Sequence, residues 1–332
     1  MARSKAAMHV HTMNDTRAPI LEIDGDAMLA EADALHDDSP QRALELLRSL
    51  DVATLSPGRL PRLSFLLDHV LGEKFDLWDE ALAGQRALLQ QAGVNAMPPI
   101  FRHAAIAAQI AGDTAHARLW TQSLAASSDA PLAKACALVT LGAVGFSVGR
   151  QEAESAGRLT LQALQPLAAL HAMPGDGLDT AFGVVTNNLA SGLLERPLED
   201  LAQPDLRTAL QLTAQHSRRF WQRAGTWLNR ERAHYLGAMA AHALGDAADG
   251  IAHARAGLAL LDEHDLVGDE NVDRAFTELE LATGLRLADQ PGRAEALARA
   301  QALAAQFGDA FLDRWFADRL ARNAALAAHY GR

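Results

Sequence analysis

From Asp26 to the end of the chain, apolar residues recur every three to four positions with polar residues between them, which is the period of amphipathic helices. The pattern predicts fifteen helices, near 26–37, 40–50, 58–71, 76–92, 99–111, 114–126, 130–148, 151–171, 177–195, 205–222, 227–244, 247–263, 269–288, 291–306 and 310–329. Start and stop signals fall in the breaks. Ser39-Pro40 reads as an N-cap followed by a proline at the first helical position, where a missing N–H costs nothing. Gly112-Asp113, Gly245-Asp246 and Gly308-Asp309 repeat one device, a glycine able to turn left-handed at a helix end and an aspartate to cap the next helix. Pro131, Pro204 and Pro291 lie near predicted starts, and Pro98-Pro99 and Pro174-Gly175 mark loops. Fourteen helices pair into seven hairpins, and the last, Ala310 to His329, reads as a cap over the final hairpin's apolar face. The irregular interval 196–204 reads as an enlarged loop, because periodicity resumes on both sides, rather than a hinge. Residues 1–22 have no periodicity and read as a disordered lead.

A small residue stands just inside the second helix of successive pairs: Ala43, Ala81, Ala117, Ala153, Gly250 and Ala294, with a weaker member at Ala209. Intervals of 36 to 56 residues mark a stacked repeat array. A large side chain there would force the hairpin apart and leave a gap the core could not fill. These features resemble the tetratricopeptide repeat superfamily, whose pairs carry Gly and an acidic or Asn residue in the turn and Ala five residues after the Gly. Gly112-Asp113…Ala117 matches; Gly245-Asp246…Gly250 matches with Gly for Ala; Asp289…Ala294 with Ala298 matches the following helix; and Asn187-Asn188-Leu189-Ala190 is similar to a first-helix phrase of the family. The standard 34-residue period is not kept, and most Trp, Tyr and Pro landmarks are missing. The chain is therefore more similar to the long-period arrays of bacterial peptide-sensing regulators and modular ATPase regulators.

The resemblance covers roughly residues 26–307 and implies an all-α fold, a right-handed α-solenoid over 23–332 whose first helices line a concave groove. It implies groove positions at Arg102, Ile106 and Gln109 in the third unit, at Arg232, Tyr235, Met239 and His242 in the sixth, and at Thr283 and Arg286 in the seventh. Asn187 and Asn188 join them because a carboxamide can pair with a peptide backbone through both of its groups.

Composition agrees with an all-α protein: 49% of residues are hydrophobic but only 5% aromatic, and the apolar content is mostly Ala and Leu. A net charge of −11 repels nucleic-acid backbones and anionic membrane surfaces, so neither is an expected partner. Cys136 is the only cysteine, which excludes an intrachain disulfide and a Cys-based zinc cluster; within Ala135-Cys136-Ala137-Leu138 it reads as a buried thiol. The N-terminus lacks a secretory apolar core and no 18-residue apolar run is free of charge, so the expectations are no membrane span and a cytoplasmic location.

Candidate chemistry is sparse. Glu231-Arg232-Ala233-His234 holds one Glu-x-x-His where bundle di-metal sites use two, so a surface ion pair is the better reading. His9-Val10-His11 reads as incidental and Asp37-Asp38-Ser39 as a helix end and cap. Phosphate-loop, nucleophile-elbow and zincin motifs are missing, so neither catalysis nor a cofactor is expected. The richest stretch, Ser217 to His242, holds five arginines (Arg218, Arg219, Arg223, Arg230 and Arg232) together with Trp221, Trp227 and Tyr235. Arginine beside aromatics suits carboxylate or phosphate recognition. Alternatively, Trp221, Leu228 and Tyr235 face the core at heptad spacing and the arginines form a solvated face. The expected function is an interaction module whose groove binds a protein or peptide partner, with an acidic ligand fitting the arginines. The alternatives are a sensor acting with a separate transcriptional regulator or kinase, and an all-α enzyme.

Overall fold

The computed structural model describes residues 24–93 and 96–331. The lead at 1–22, with His9 and His11, lies outside the described residues. The chain is all-helical, with no strand among the described residues. The α-helices are α1 (Gly25–Leu35), α2 (Pro40–Ser49), α3 (Leu60–Leu66), α4 (Trp78–Ala92), α5 (Pro98–Ile110), α6 (Thr114–Ser127), α7 (Leu132–Ser147), α8 (Ala153–Leu164), the five-residue α9 (Leu167–His171), α10 (Asp179–Glu195), α11 (Pro204–Ala224), α12 (Trp227–Ala243), α13 (Ala247–His264), α14 (Asn271–Leu287), α15 (Arg293–Ala304) and α16 (Ala310–His329).

Each of the fifteen predicted segments contains a helix, and two have more detail than the period foretold. Segment 151–171 breaks into α8 and α9 at Gln165-Pro166, since a proline removes an N–H from the ladder and clashes with the carbonyl four residues back. After α3 the chain runs on as a π-helix, Leu67–Lys74. The repeated turn device is present. Gly112, Gly245 and Gly308 have φ of 80°, 82° and 63°. The Asp113, Asp246 and Asp309 carboxylates accept the backbone N–H groups of His116, Asp249, and Phe311 with Leu312. Ser39 takes the N-cap position of α2 without a side-chain bond.

The chain divides at Ser56–Pro57 into two compact units. The first is the α1–α2 hairpin and a short 3₁₀ turn, Val52–Thr54, tied back by the Asp26 carboxylate, which accepts from the Ser56 N–H at 3.0 Å and hydroxyl at 2.7 Å. In the second, α5–α6, α10–α11, α12–α13 and α14–α15 pack closely as pairs, and α6, α11 and α13 each also meet the first helix of the next pair. The helices α5, α7, α10, α12, α14 and α16 form a row in which each meets the next.

The small residues only partly hold the predicted register. Ala43, Ala81 and Ala209 are fully buried, and Gly250 lies so close to the His242 ring that a Cβ would overlap it. Ala117 and Ala153 are half-buried and Ala294 is exposed. α15 begins only at Arg293, which leaves Ala294 in its outward first turn; Ala296, fully buried, makes the contact instead. In α8 the close approach is at Gly157, against the backbone of Asp205 and Leu206.

α7 with its 3₁₀ extension to Arg150 is long and apolar enough to cross a membrane by length and composition, although it carries Lys134; half of it is buried inside the protein. Its first turn carries Lys134, fully buried, whose Nζ meets Asp176 at 2.8 Å and Asp179 at 2.6 Å; Arg223 reaches Asp179 at 2.8 Å. This network fastens the segment before α10 to α7 and α11. Cys136 is exposed, contrary to the reading as a buried thiol, because the helical turn faces it away from buried Ala135 and Ala137. The interval after α10 holds a 3₁₀ turn, Leu198–Ala202; Arg196 pairs with Asp200 at 2.8 Å and donates to the Val148 carbonyl at 2.8 Å.

Candidate functional site: a cleft along α10, α12, α14 and α16

A cleft of about 890 Å³ lies along four helices of that row. α12 contributes Arg232, Tyr235, Leu236 and Met239, and α16 contributes Trp315, Asp318, Arg319 and Arg322. Both sets have the i, i+3, i+4, i+7 spacing of one helical stripe. α10 adds Asn187, Ser191, Leu194 and Glu195, while the start of α14 adds Asp269, Glu270, Val272 and Asp273. Phe276 supports the apolar part, with Tyr235 edge-on at 6.1 Å and Trp315 tilted at 4.4 Å, backed by Phe307 and Phe316.

The three arginines are already engaged. Arg232 forms a fork onto Asp273, Nε to Oδ1 at 3.0 Å and Nη2 to Oδ2 at 2.9 Å. Arg319 donates from Nε to Oε1 of the fully buried Glu280 at 2.8 Å, and the same carboxylate accepts from Asn323 Nδ2 at 2.9 Å and His242 Nδ1 at 2.9 Å. Burial raises the Glu280 carboxyl, but the Arg319 guanidinium and His242 outweigh it and hold it at about 2. Arg322 donates to the carbonyls of Leu194 and Arg196, the latter at 3.0 Å.

The carboxylates are in surplus. Glu195, Asp269 and Asp318 are exposed and make no ion pair among the described residues. Glu270, half-buried, is pushed up first by desolvation and then by its contact with Asp273. Behind the lining, Glu231 is fully buried: Thr277 Oγ1 donates to its Oε1 at 2.8 Å, while Oε2 has no partner. Burial, and then the Asp273 charge, raise its carboxyl to about 7. The surface ion pair expected of Glu231 and His234 is therefore not formed; His234 Nδ1 instead lies 3.0 Å from His253 Nδ1.

Of the predicted groove residues, the cleft unites Asn187, Arg232, Tyr235 and Met239. Asn188 is exposed but does not line it, and Arg286 sits half-buried at the far end of α14. His242 is fully buried in the Glu280 network, and Thr283 is buried with Asn323 Nδ2 donating to its hydroxyl at 2.8 Å. Arg102 belongs to another network. Its Nη2 donates to His103 Nε2 at 3.0 Å, so His103 Nδ1 donates to buried Asp68 at 3.0 Å, and Gln85 Nε2 donates to Asp68 at 2.8 Å. Ile106 is core, and Gln109 lines a separate groove of about 340 Å³ beside Cys136. In the basic-aromatic stretch, Trp221 is buried against Gly183, as the core-facing reading has it, but Leu228 is only half-buried and Tyr235 lines the cleft with Arg232; Trp227 stacks on His264.

The α16 wall was missed. Its signal was the polar stripe Asp318, Arg319 and Arg322 beside Trp315, on a helix read only as a cap. No protein-family model matches the chain, and no curated protein matches it.

Proposed function

We propose that the second unit is a tetratricopeptide-like α-solenoid that binds a peptide segment of a partner protein in the cleft along α10, α12, α14 and α16. The observation that carries this reading is the cleft's location. It is walled by the first helices of three successive pairs and by α16, the surface that such arrays present to peptides. Apolar side chains extend beyond it. Trp315 is 45% exposed and Phe311, one turn earlier, 47%, while Leu266 and Val267, just before Asp269, are 83% and 81% exposed. Exposed apolar groups beside a cleft mark a contact surface for a macromolecule. Asn187 and Ser191 supply hydrogen-bonding groups that suit an extended backbone.

The test selects random twelve-residue peptides on the wild-type protein and measures them against Met239→Arg, which places a long cation in the cleft. Selected peptides should lose binding to this variant while its helical circular dichroism is unchanged. Peptides that bind both proteins equally would overturn the reading.

A further inference from the structure

The sequence's arginines suggest an acidic ligand, but the geometry points the other way. An anionic group entering the cleft would compete with Asp273 for Arg232 and with the buried Glu280 for Arg319, which leaves Arg322, bonded only to the Leu194 and Arg196 carbonyls, as the one lining guanidinium without a carboxylate partner among the described residues. It would also face Glu195, Asp269, Glu270 and Asp318, none of which is neutralised by an ion pair among the described residues. We infer that the cleft recognises a basic segment of a partner protein, with a lysine or arginine side chain of that segment seated between these carboxylates and the ring of Trp315. This inference rests on the peptide-binding reading of the same cleft.

Three features support a cation. The first is charge complementarity: five lining carboxylates face three guanidiniums, each already bonded, and a cleft with low-dielectric walls focuses such a surplus. The second is the aromatic wall. Trp315 is held by Phe276 and half exposed, and a cation over an indole face gains attraction that a carboxylate does not. Leu236, Val272 and Met239 offer apolar surface for the methylene stem. The third is the crowding of acids at the start of α14. Glu270 is held above the ordinary range by burial and by Asp273, and the unpartnered Oε2 of buried Glu231 lies behind. An arriving cation relieves this repulsion, and the chain's net charge of −11 steers basic partners toward it.

The same selection of twelve-residue peptides tests the inference through peptide composition and a charge swap. Peptides sensitive to Met239→Arg should be enriched in Lys and Arg. The double variant Asp269→Lys/Asp318→Lys, at two exposed positions, should bind them roughly tenfold more weakly at low salt. Replacing their basic residues by Glu should restore binding to the double variant, which a misfolded protein could not show. Met239-sensitive peptides that are neutral or acidic and indifferent to the swap overturn the cation and leave the cleft standing. If no Met239-sensitive peptide is recovered, both readings fall.

Discussion

Replacing Glu231 by Gln should stabilise the protein at alkaline pH and leave it nearly unchanged in mild acid. Glu231 is fully buried, takes one hydrogen bond from Thr277, and leaves Oε2 without a partner. Its folded pKa is raised from 4.5 to about 7, chiefly by burial. A raised folded pKa gives stability that is complete below the unfolded value and lost as pH rises through the folded one, because the unfolded chain ionises first. At 1.36 kcal/mol per pKa unit, the loss amounts to about 3 kcal/mol by pH 8 and less than about 1 kcal/mol at pH 5. Gln keeps the acceptor for Thr277, has nearly the same volume and does not titrate. Urea unfolding of both proteins at pH 5 and pH 8 isolates the cost of ionising Glu231, with Gln expected to be more stable by about 3 kcal/mol at pH 8 only. An equal difference at both values would refute the reasoning, because it would mean that the carboxyl does not ionise across that window.

Other consequences can be measured directly. Arg319→Met removes the guanidinium from the fully buried Glu280 and should cost about 3–5 kcal/mol in urea unfolding; a cost below about 1 kcal/mol would contradict the pairing. Gly250→Ala would gain up to about 1 kcal/mol of helix propensity, but its methyl overlaps the His242 ring held by Glu280, so a net loss of about 1–3 kcal/mol is expected in thermal unfolding. Stabilisation would contradict the close approach. The Cys136 thiol should react with a maleimide in the native protein without denaturant, since its side chain is exposed; protection until unfolding would contradict its placement.

The helical architecture was legible because its causes are local. Period, proline position and the Gly-Asp turns act within a few residues, and φ at Gly112, Gly245 and Gly308 follows from them. Cys136 and Ala294 were misread because a short apolar run or a repeat register does not say which side of a helix faces inward; a shift of one residue rotates it by about 100°. Even without such a shift, Met239 lines the cleft while His242, three residues on and only about 60° away round the helix, is buried against Glu280. The cleft's charge was hidden for a different reason. Arg232, Glu280 and Arg319 are far apart in sequence from the groups they pair with, so counting arginines along Ser217 to His242 could not show which were engaged. The α16 wall depends on its docking against α14, through Phe316 on Phe276, a long-range contact without a local signal.

Whether a basic peptide enters the cleft is reported directly by the methyl group of Met239. In a spectrum of the protein carrying ¹³C-methyl methionine, a Met239-sensitive, lysine- or arginine-bearing peptide should shift the Met239 signal. Met97, exposed at the start of α5, should stay unmoved. A peptide that binds yet leaves Met239 unmoved would contradict the account.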